Sequence, residues 1–560
     1  MRYLGTDRRI AFAVSWLALV LALTAACGGT SSSSDGEGSS AAASGSQEAG
    51  TPQRGGTLVV ALSGDISGIN ELVANSSQIT TEVINQMYLR LFEEQPDIQD
   101  APPTFEPRLA KSKSWSEDHK VLTVTLRDDV QWSDGTPITA EDVRWTWQAQ
   151  THPAVSYDNV LMKSSIQDVE VVDPLTVRFH FSHVYPGQLV HANEGVILPR
   201  HVWGQLPFEE WRSNPQWFQD HLVVSGPFTL DRWEPQQRIV LTPNENYYEK
   251  DVPYLDRVVL EIVPDASSQL TRFLSSDIDF LRQLPSAMVE QVQEIPELEV
   301  QTFWPLQFTS VIWNCTNPLF DTAEERRAMA LAMDLESLVG SVWHGFARPS
   351  PSPIVTGVWG HNQELELLPT DLEEARRLLR SQGWEDRNGD GILDLDGRPF
   401  RFDITINSGN QERMDAAVIL QEQLARIGVD AQPRVLDWST VEQRLVKSSF
   451  DAIIIGLGLE TSLDVSAYFH SESIGNKLNY GRYSNPEVDR LLEQARTQGE
   501  MKDTKVYLDQ LQVILQQDQP QTILWEPQRL VGVNRRIRDA TPTSIATLDD
   551  LQYWWIGPNP

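Results

Sequence analysis

Cysteine is nearly missing from this chain: 560 residues contain two, Cys27 and Cys315. That excludes a disulfide framework and any zinc site built on several thiolates. Basic residues are also few, with 45 Lys and Arg against 78 Asp and Glu, for a net charge of -33. A chain so poor in cations lacks the groups that neutralise phosphates, which argues against nucleic acid or an anionic lipid surface as partner. The acids are spread along the chain rather than gathered in one block, as solubility alone would ask. Catalytic signatures are absent too. There is no G-x-S-x-G, no H-E-x-x-H and no G-x-x-x-x-G-K-[ST], and the Gly456-Leu457-Gly458 triplet lacks the third glycine of a dinucleotide fingerprint. Beyond residue 26 no apolar run approaches the roughly 20 residues that a membrane-spanning helix needs.

One such run does open the chain. Arg2, Arg8 and Arg9 precede an uncharged apolar stretch from Ala11 to Ala26. It is short for a spanning helix and fits the core of a secretory signal. Thr24-Ala25-Ala26 lead directly into Cys27, and this is similar to the lipobox of bacterial lipoproteins, with Thr24 where that motif usually has Leu. The resemblance implies removal of residues 1–26 and acylation of Cys27. Each buried methylene contributes about 0.8 kcal/mol, so two or three chains hold where one only visits. Residues 27–54, rich in Ser, Gly and Ala, bury too little to offset their ordering entropy and read as a flexible tether.

About 500 residues follow, too many for one hydrophobic core and enough for two or three lobes. Leu58 to Leu62 is a continuous apolar strand closed by Ser63-Gly64-Asp65. Val121 to Leu126 alternates at the period of a strand. Ser133-Asp134-Gly135 turns the chain, and Thr139 with Asp142 predicts a capped helix through Trp147. Hairpins follow around Asp173-Pro174 and within 225–248. After Trp313 the pattern changes. Helices are predicted from Asp321 or Thr322, from Asp371 to a stop at Gly383, and over 411–427. The strands 400–409 and 450–458 lie between them, and late helices start near Asn485 and Lys505. Alternation of this length indicates an α/β lobe with a partly parallel sheet.

One local motif carries metal chemistry. In DRNGDGILDLDG, oxygen donors stand at Asp386, Asn388 and Asp390, followed by a glycine, the carbonyl of Ile392 and Asp394. This is the spacing of an EF-hand-type loop, although its twelfth position is Gly397 rather than a bidentate Glu. The expectation is a structural calcium on these five residues. The other reading is an Asx-rich turn from helix to strand.

Several stretches in order resemble the family 5 solute-binding proteins of ABC importers, the class of oligopeptide, dipeptide and nickel binders. They include RGGTLVVA, WSDGTPITAEDVRWTW, VSGPFTLDRWEP, YLDRVVLEIVPD, RRAMALAMDLESLV and NYGRYSNPEVDRLLEQA. The resemblance implies an α/β Venus flytrap of the periplasmic-binding-protein type II-like (cluster C) kind with an extra small domain. Lobe I is expected at 55–96, 223–310 and 522–560, domain II at 97–222 and lobe III at 311–521. It implies no catalysis and no required cofactor. In the peptide binders of that family a strand followed by G-W-x-x-D enters the cleft, and its acid meets the peptide's ammonium. Here Gly456, Leu457, Gly458 and Glu460 match that stretch, with Leu457 in the place of Trp and Glu460 in that of Asp. Trp313 and Asn314 are expected to line the same pocket, with Trp343 and Trp359 as weaker candidates. The implied protein is a monomeric receptor on the outer face of a membrane, lipid-anchored, passing a small solute, a peptide by preference, to ABC permease subunits. The competing class is an extracytoplasmic hydrolase acting on sugar or peptide in an acidic, Trp-lined cleft.

Overall fold

The computed structural model describes residues 51–74, 77–475 and 478–558. The signal-like segment, Cys27 and most of the expected tether lie outside the described residues. Two large sheets and one small sheet organise the rest.

The first sheet has seven strands, in the order Leu298–Phe303, Arg529–Asn534, Phe280–Leu281, Thr57–Leu62, Arg257–Ile262, Arg238–Pro243 and Phe228–Glu234. Thr57–Leu62 runs parallel to both of its neighbours, with Leu58 opposite Val258 and Val60 opposite Leu260. Its two faces are both covered. Leu58, Val60 and Leu62 join the main core, while Ala61 packs into a second cluster with Phe273 and Leu281. That explains why the sequence runs apolar here instead of alternating. Gly532 lies where helix Ala266–Leu274 presses on this sheet; a Cβ there would stand 2.6 Å from the Phe273 ring.

The small sheet pairs Ala110–Trp115, Val121–Leu126, Thr176–Phe181 and Ile166–Asp173. Here alternation holds: Leu122, Val124 and Leu126 are buried and share one core with the seven-stranded sheet. The helix opened by Thr139, whose amide donates to Asp142 Oδ2 at 2.8 Å, runs past Trp147 to Thr151. Pro153 then pushes His152 out of helical backbone and ends it.

The second large sheet has six strands, in the order Ala347–Arg348, Gln521–Pro527, Gln307–Trp313, Ala452–Gly458, Arg401–Asn407 and Asp430–Leu436. Arg401–Asn407 is parallel to both Asp430–Leu436 and Ala452–Gly458. Helix Gln411–Ala425 connects the first parallel pair, as the alternating pattern indicated. Thr322, not Asp321, caps helix Ala323–Ala332, in a capping box with Glu325. Chain order allows only two passages between the large sheets, residues 304–306 going out and Gln528 returning.

The DRNGDGILDLDG loop links helix Leu372–Ser381 to the hairpin of Asp394–Leu395 and Arg398–Pro399. Its oxygens already have donors. Asp386 accepts from the amides of Gly389 at 2.8 Å and Gly391 at 3.0 Å, Asn388 from that of Asp390, and Asp390 from that of Ile392. Asp394 pairs with Arg387, 3.3 Å from its Nη1. Among the described residues no group of three or more His, Cys, Asp or Glu is placed to hold a metal. The side chains of Asp386, Asn388 and Asp390 thus form a ladder of Asx turns, with a guanidinium seated on Asp394.

Two outcomes follow for stability. Gly532→Ala should lower the melting temperature while leaving the fold intact, at a cost of about 1–3 kcal/mol for overpacking against Phe273, as read by thermal and denaturant unfolding. Calcium at millimolar concentration should leave the melting temperature unchanged, because a ligand that does not bind the native state cannot stabilise it. A calcium-dependent rise that Asp390→Asn abolishes would contradict the Asx-turn reading.

Candidate functional site

Ligands of α/β sheets sit at the carboxyl ends of parallel strands. In the six-stranded sheet the strands ending at Asn407, Leu436 and Gly458 all end on one edge, next to Gln307 at the start of the antiparallel neighbour. Trp438 and Glu460 follow within two residues of two of these ends, and both are exposed, Trp438 at 50%. Tyr468 donates its hydroxyl to the Gly458 carbonyl at 2.5 Å and steadies the turn.

The first-sheet half of the molecule comes up against this edge. Thr461 donates its hydroxyl to the Glu94 carboxylate. The Trp359 amide donates to the Ile98 carbonyl at 2.8 Å, and its indole reaches the Thr461 carbonyl at 3.3 Å. Ile98 is buried within the apolar cluster of the second half, and Val190 packs against it. The edge is therefore one wall of a cleft between the two sheets.

The opposite wall is charged. Glu71 is buried, accepts the Val196 amide at 2.8 Å and lies 3.8 Å from Arg90. Lys163, also buried, donates to the carbonyls of His191 at 2.7 Å and Glu194 at 2.6 Å. The Glu194 carboxylate takes the Tyr157 hydroxyl at 2.8 Å and the Asn159 amide at 2.8 Å. Burial raises Glu71 and Glu94 above the usual carboxylate range even though Arg90 opposes it. Burial also draws Lys163 down to about 8. Across the cleft, Glu460 is raised by its crowded surroundings first and then by Asp464, Glu94 and Glu194. Because Glu460 still faces water on one side, solvent screening moderates that effect. Five carboxylates thus meet three cations, counting Arg496 on Asp464. Such a cleft favours a positively charged group.

Glu460 and Gly458 stand on the cleft edge. Leu457 does not; it is 7% exposed and points into the apolar cluster beneath. Trp313 and Asn314 lie at the other end of the same strand pair. The register sets Gln307 against Gly458 but Trp313 against Ala452, and six residues of strand span about 20 Å. Trp313 is fully buried against Phe320 and Phe402, and its indole donates to Thr522 at 3.0 Å. Asn314 bonds the Ser448 and Phe450 carbonyls. These two residues hold the far end of the sheet together and do not line the cleft. Trp343 packs on Trp525 in the core, whereas Trp359 belongs to the contact between the halves. Cys315 lies beside Asn314, with burial pushing its thiol up to about 11. Sequence reading missed Trp438, Glu94 and the Glu71–Arg90–Lys163–Glu194 group. Only Trp438 carried a signal, as the first aromatic beyond a predicted parallel strand.

Comparison with known proteins agrees with this geometry. The profile of the bacterial extracellular solute-binding proteins, family 5 Middle, matches residues 104–477. The oligopeptide-binding protein AppA of Bacillus subtilis (strain 168) is 28% identical over 555 residues, which covers 98% of this chain and 99% of that protein. A solved structure of AppA from Bacillus subtilis in complex with a nonapeptide superposes with a TM-score of 0.77 over 91% of this chain and 100% of that one. NikZ from Campylobacter jejuni, in complex with Ni(L-His), has the same fold, with a TM-score of 0.76 at 23% identity over 89% of this chain and 99% of that one. With the profile spanning well over half its length, the chain belongs to the bacterial extracellular solute-binding proteins, family 5: a solute receptor with the type II periplasmic-binding fold, and not an enzyme.

Proposed function

We propose that this receptor captures a peptide by its ammonium end at Glu460 and closes its two large sheets over it as lobes. Lipid on Cys27 tethers it to the membrane, where it delivers the peptide to an ABC permease. The observation that carries the reading is the surplus of carboxylates where the two halves meet, centred on Glu460, Glu94 and Glu194. Like charges brought together without a partner are unfavourable. An ammonium placed among them relieves that cost, and more so when both walls contact it. A solute shifts a two-state equilibrium only through such a difference in affinity. The nonapeptide held by AppA supports a peptide as the cargo.

The hinge lies in the two passages at 304–306 and 528. Arg348 bridges them: its guanidinium stacks on the Trp304 ring with 3.9 Å to the centroid, and its Nε donates to Glu526 at 2.7 Å. Glu526 also takes the Thr356 amide at 2.8 Å. This bracing confines motion to a rotation about the two strands, as hinge closure requires.

Calorimetry of the full chain with peptides tests the reading. Glu460→Gln should weaken binding by about 10- to 100-fold, the size of a lost charge-assisted hydrogen bond. The carboxylate must be ionised to hold an ammonium, and burial raises its pKa. Affinity should therefore be full at neutral pH and fall as pH drops through a range above that of an ordinary glutamate. Glu460→Gln should flatten that part of the profile. Unchanged affinity in the variant would remove Glu460 from the site.

A further inference from the structure

One hairpin of the first half ends in the core of the second. Strands Phe92–Glu94 and Phe105–Pro107 pair with each other, and both Phe92 and Phe105 pack with the core of the seven-stranded sheet. Residues 95–104 join them as a finger. Near its tip Ile98 is 3% exposed, although Gln99, Asp100 and Ala101 beside it are exposed. Ile98 is the one buried member of the second half's apolar cluster that the first half supplies. Its carbonyl accepts the Trp359 amide at 2.8 Å. At the root of the finger Glu94 takes the Thr461 hydroxyl, and the Trp359 indole in turn donates to the Thr461 carbonyl at 3.3 Å. Root and tip thus grip one frame, made of Trp359 and Thr461.

The finger is built before it docks. Asp97 accepts the Thr104 amide at 3.0 Å and the Thr104 hydroxyl at 2.7 Å, and the Gln95 amide donates to the Thr104 carbonyl at 2.8 Å. Pro96, Pro102 and Pro103 restrict the backbone further. All these constraints lie within the first half, so the finger keeps its shape when the halves part. A loop shaped in advance loses little entropy on docking. What opening costs is the return of Ile98 to water and the loss of its bond from Trp359. Both favour the shut form.

We propose that the 95–104 finger is a latch: by seating Ile98 in the apolar cluster at Trp359, it holds the two halves together before any solute binds. The proposal rests on the hinge reading above and adds to it a contact that does not involve the solute. With so little of Ile98 exposed, the solute does not touch it, and the latch contributes equally to closure on every solute. Closure also crowds Glu94 and Glu194 toward Glu460, and like charges oppose it. The latch offsets that repulsion and keeps the shut form populated, and a solute ammonium completes the closure. Apparent affinity scales with the fraction of protein in the competent form. The finger therefore sets the strength of capture and the rate of release, while the groups lining the cleft set the choice of solute.

The test compares the full chain with Ile98→Ser and with a control, Leu161→Ser, which removes an aliphatic side chain of the same half that is 68% exposed. Hydrogen exchange without added solute reads the Trp359 amide, and X-ray scattering reads the size. Retention of a mixed tetrapeptide library, quantified by mass spectrometry, reads affinity. Ile98→Ser should speed exchange at Trp359 by about tenfold, the scale of one buried aliphatic side chain. It should also enlarge the radius of gyration and weaken retention of all bound peptides by one common factor, without changing their ranking. Leu161→Ser should match wild type in all three. Unchanged exchange at Trp359 and unchanged retention in Ile98→Ser would overturn the latch, and compaction of the wild type by retained peptides would then leave the hinge standing. One scattering curve shared by wild type with peptides, wild type without them and Ile98→Ser would remove hinge and latch together. Retention of no peptide by the wild type would remove the peptide reading, and exchange at Trp359 would still decide the latch. Unfolding curves of both variants separate loss of the latch from loss of fold.

Discussion

Among the described residues the chain passes between its two large sheets only twice, and the rest of the account depends on that. Residues 304–306 leave the seven-stranded sheet and Gln528 returns to it. Two short, adjacent passages allow rotation and little else. Each half can keep a rigid core of its own, because separate apolar clusters stabilise the two sheets. Arg348, set against Trp304 and Glu526, fastens one passage to the other. A cleft then follows from topology: the carboxyl ends of three parallel strands in one half face the Glu94–Ile98 segment of the other.

The electrostatics of the cleft follow from burial. Carboxylates on a free surface would be solvated and indifferent to one another. Glu71 and Glu94 are deprived of water, and Glu460 and Asp464 are brought up opposite them. Arg90 and Lys163 compensate only in part, and the nearest hydrogen bonds of Lys163 are to backbone carbonyls. The cleft therefore carries unbalanced negative charge in a region of reduced screening, where the energy of each added contact is larger than in water.

Local structure was legible because local physics sets it. The capping pair Thr139 and Asp142, the apolar run of Thr57–Leu62 and the alternation of Val121–Leu126 each announce their element within a few residues. Family motifs carried the overall fold. The cleft was less legible, because register is a long-range property. Trp313 and Glu460 looked like partners, yet antiparallel pairing of their strands sends them to opposite ends. Alternation on the same strand turns Leu457 inward between two outward-facing glycines. Glu94 gave no sign, since what marks it is a neighbour hundreds of residues away. The DRNGDGILDLDG spacing leaves two readings open for a physical reason: calcium loops and Asx ladders use the same alternating oxygens and glycines. In this loop Arg387 also reaches over to Asp394.

Small-angle X-ray scattering of the full chain, alone and with a saturating peptide identified from the purified protein by native mass spectrometry, measures the central claim most directly. Closure about the two passages predicts a smaller radius of gyration and a shorter maximum dimension when the peptide is bound, reversed when it is dialysed away unaltered. An identical scattering curve with and without bound peptide would contradict the hinge, and with it the differential grip on which the receptor reading stands.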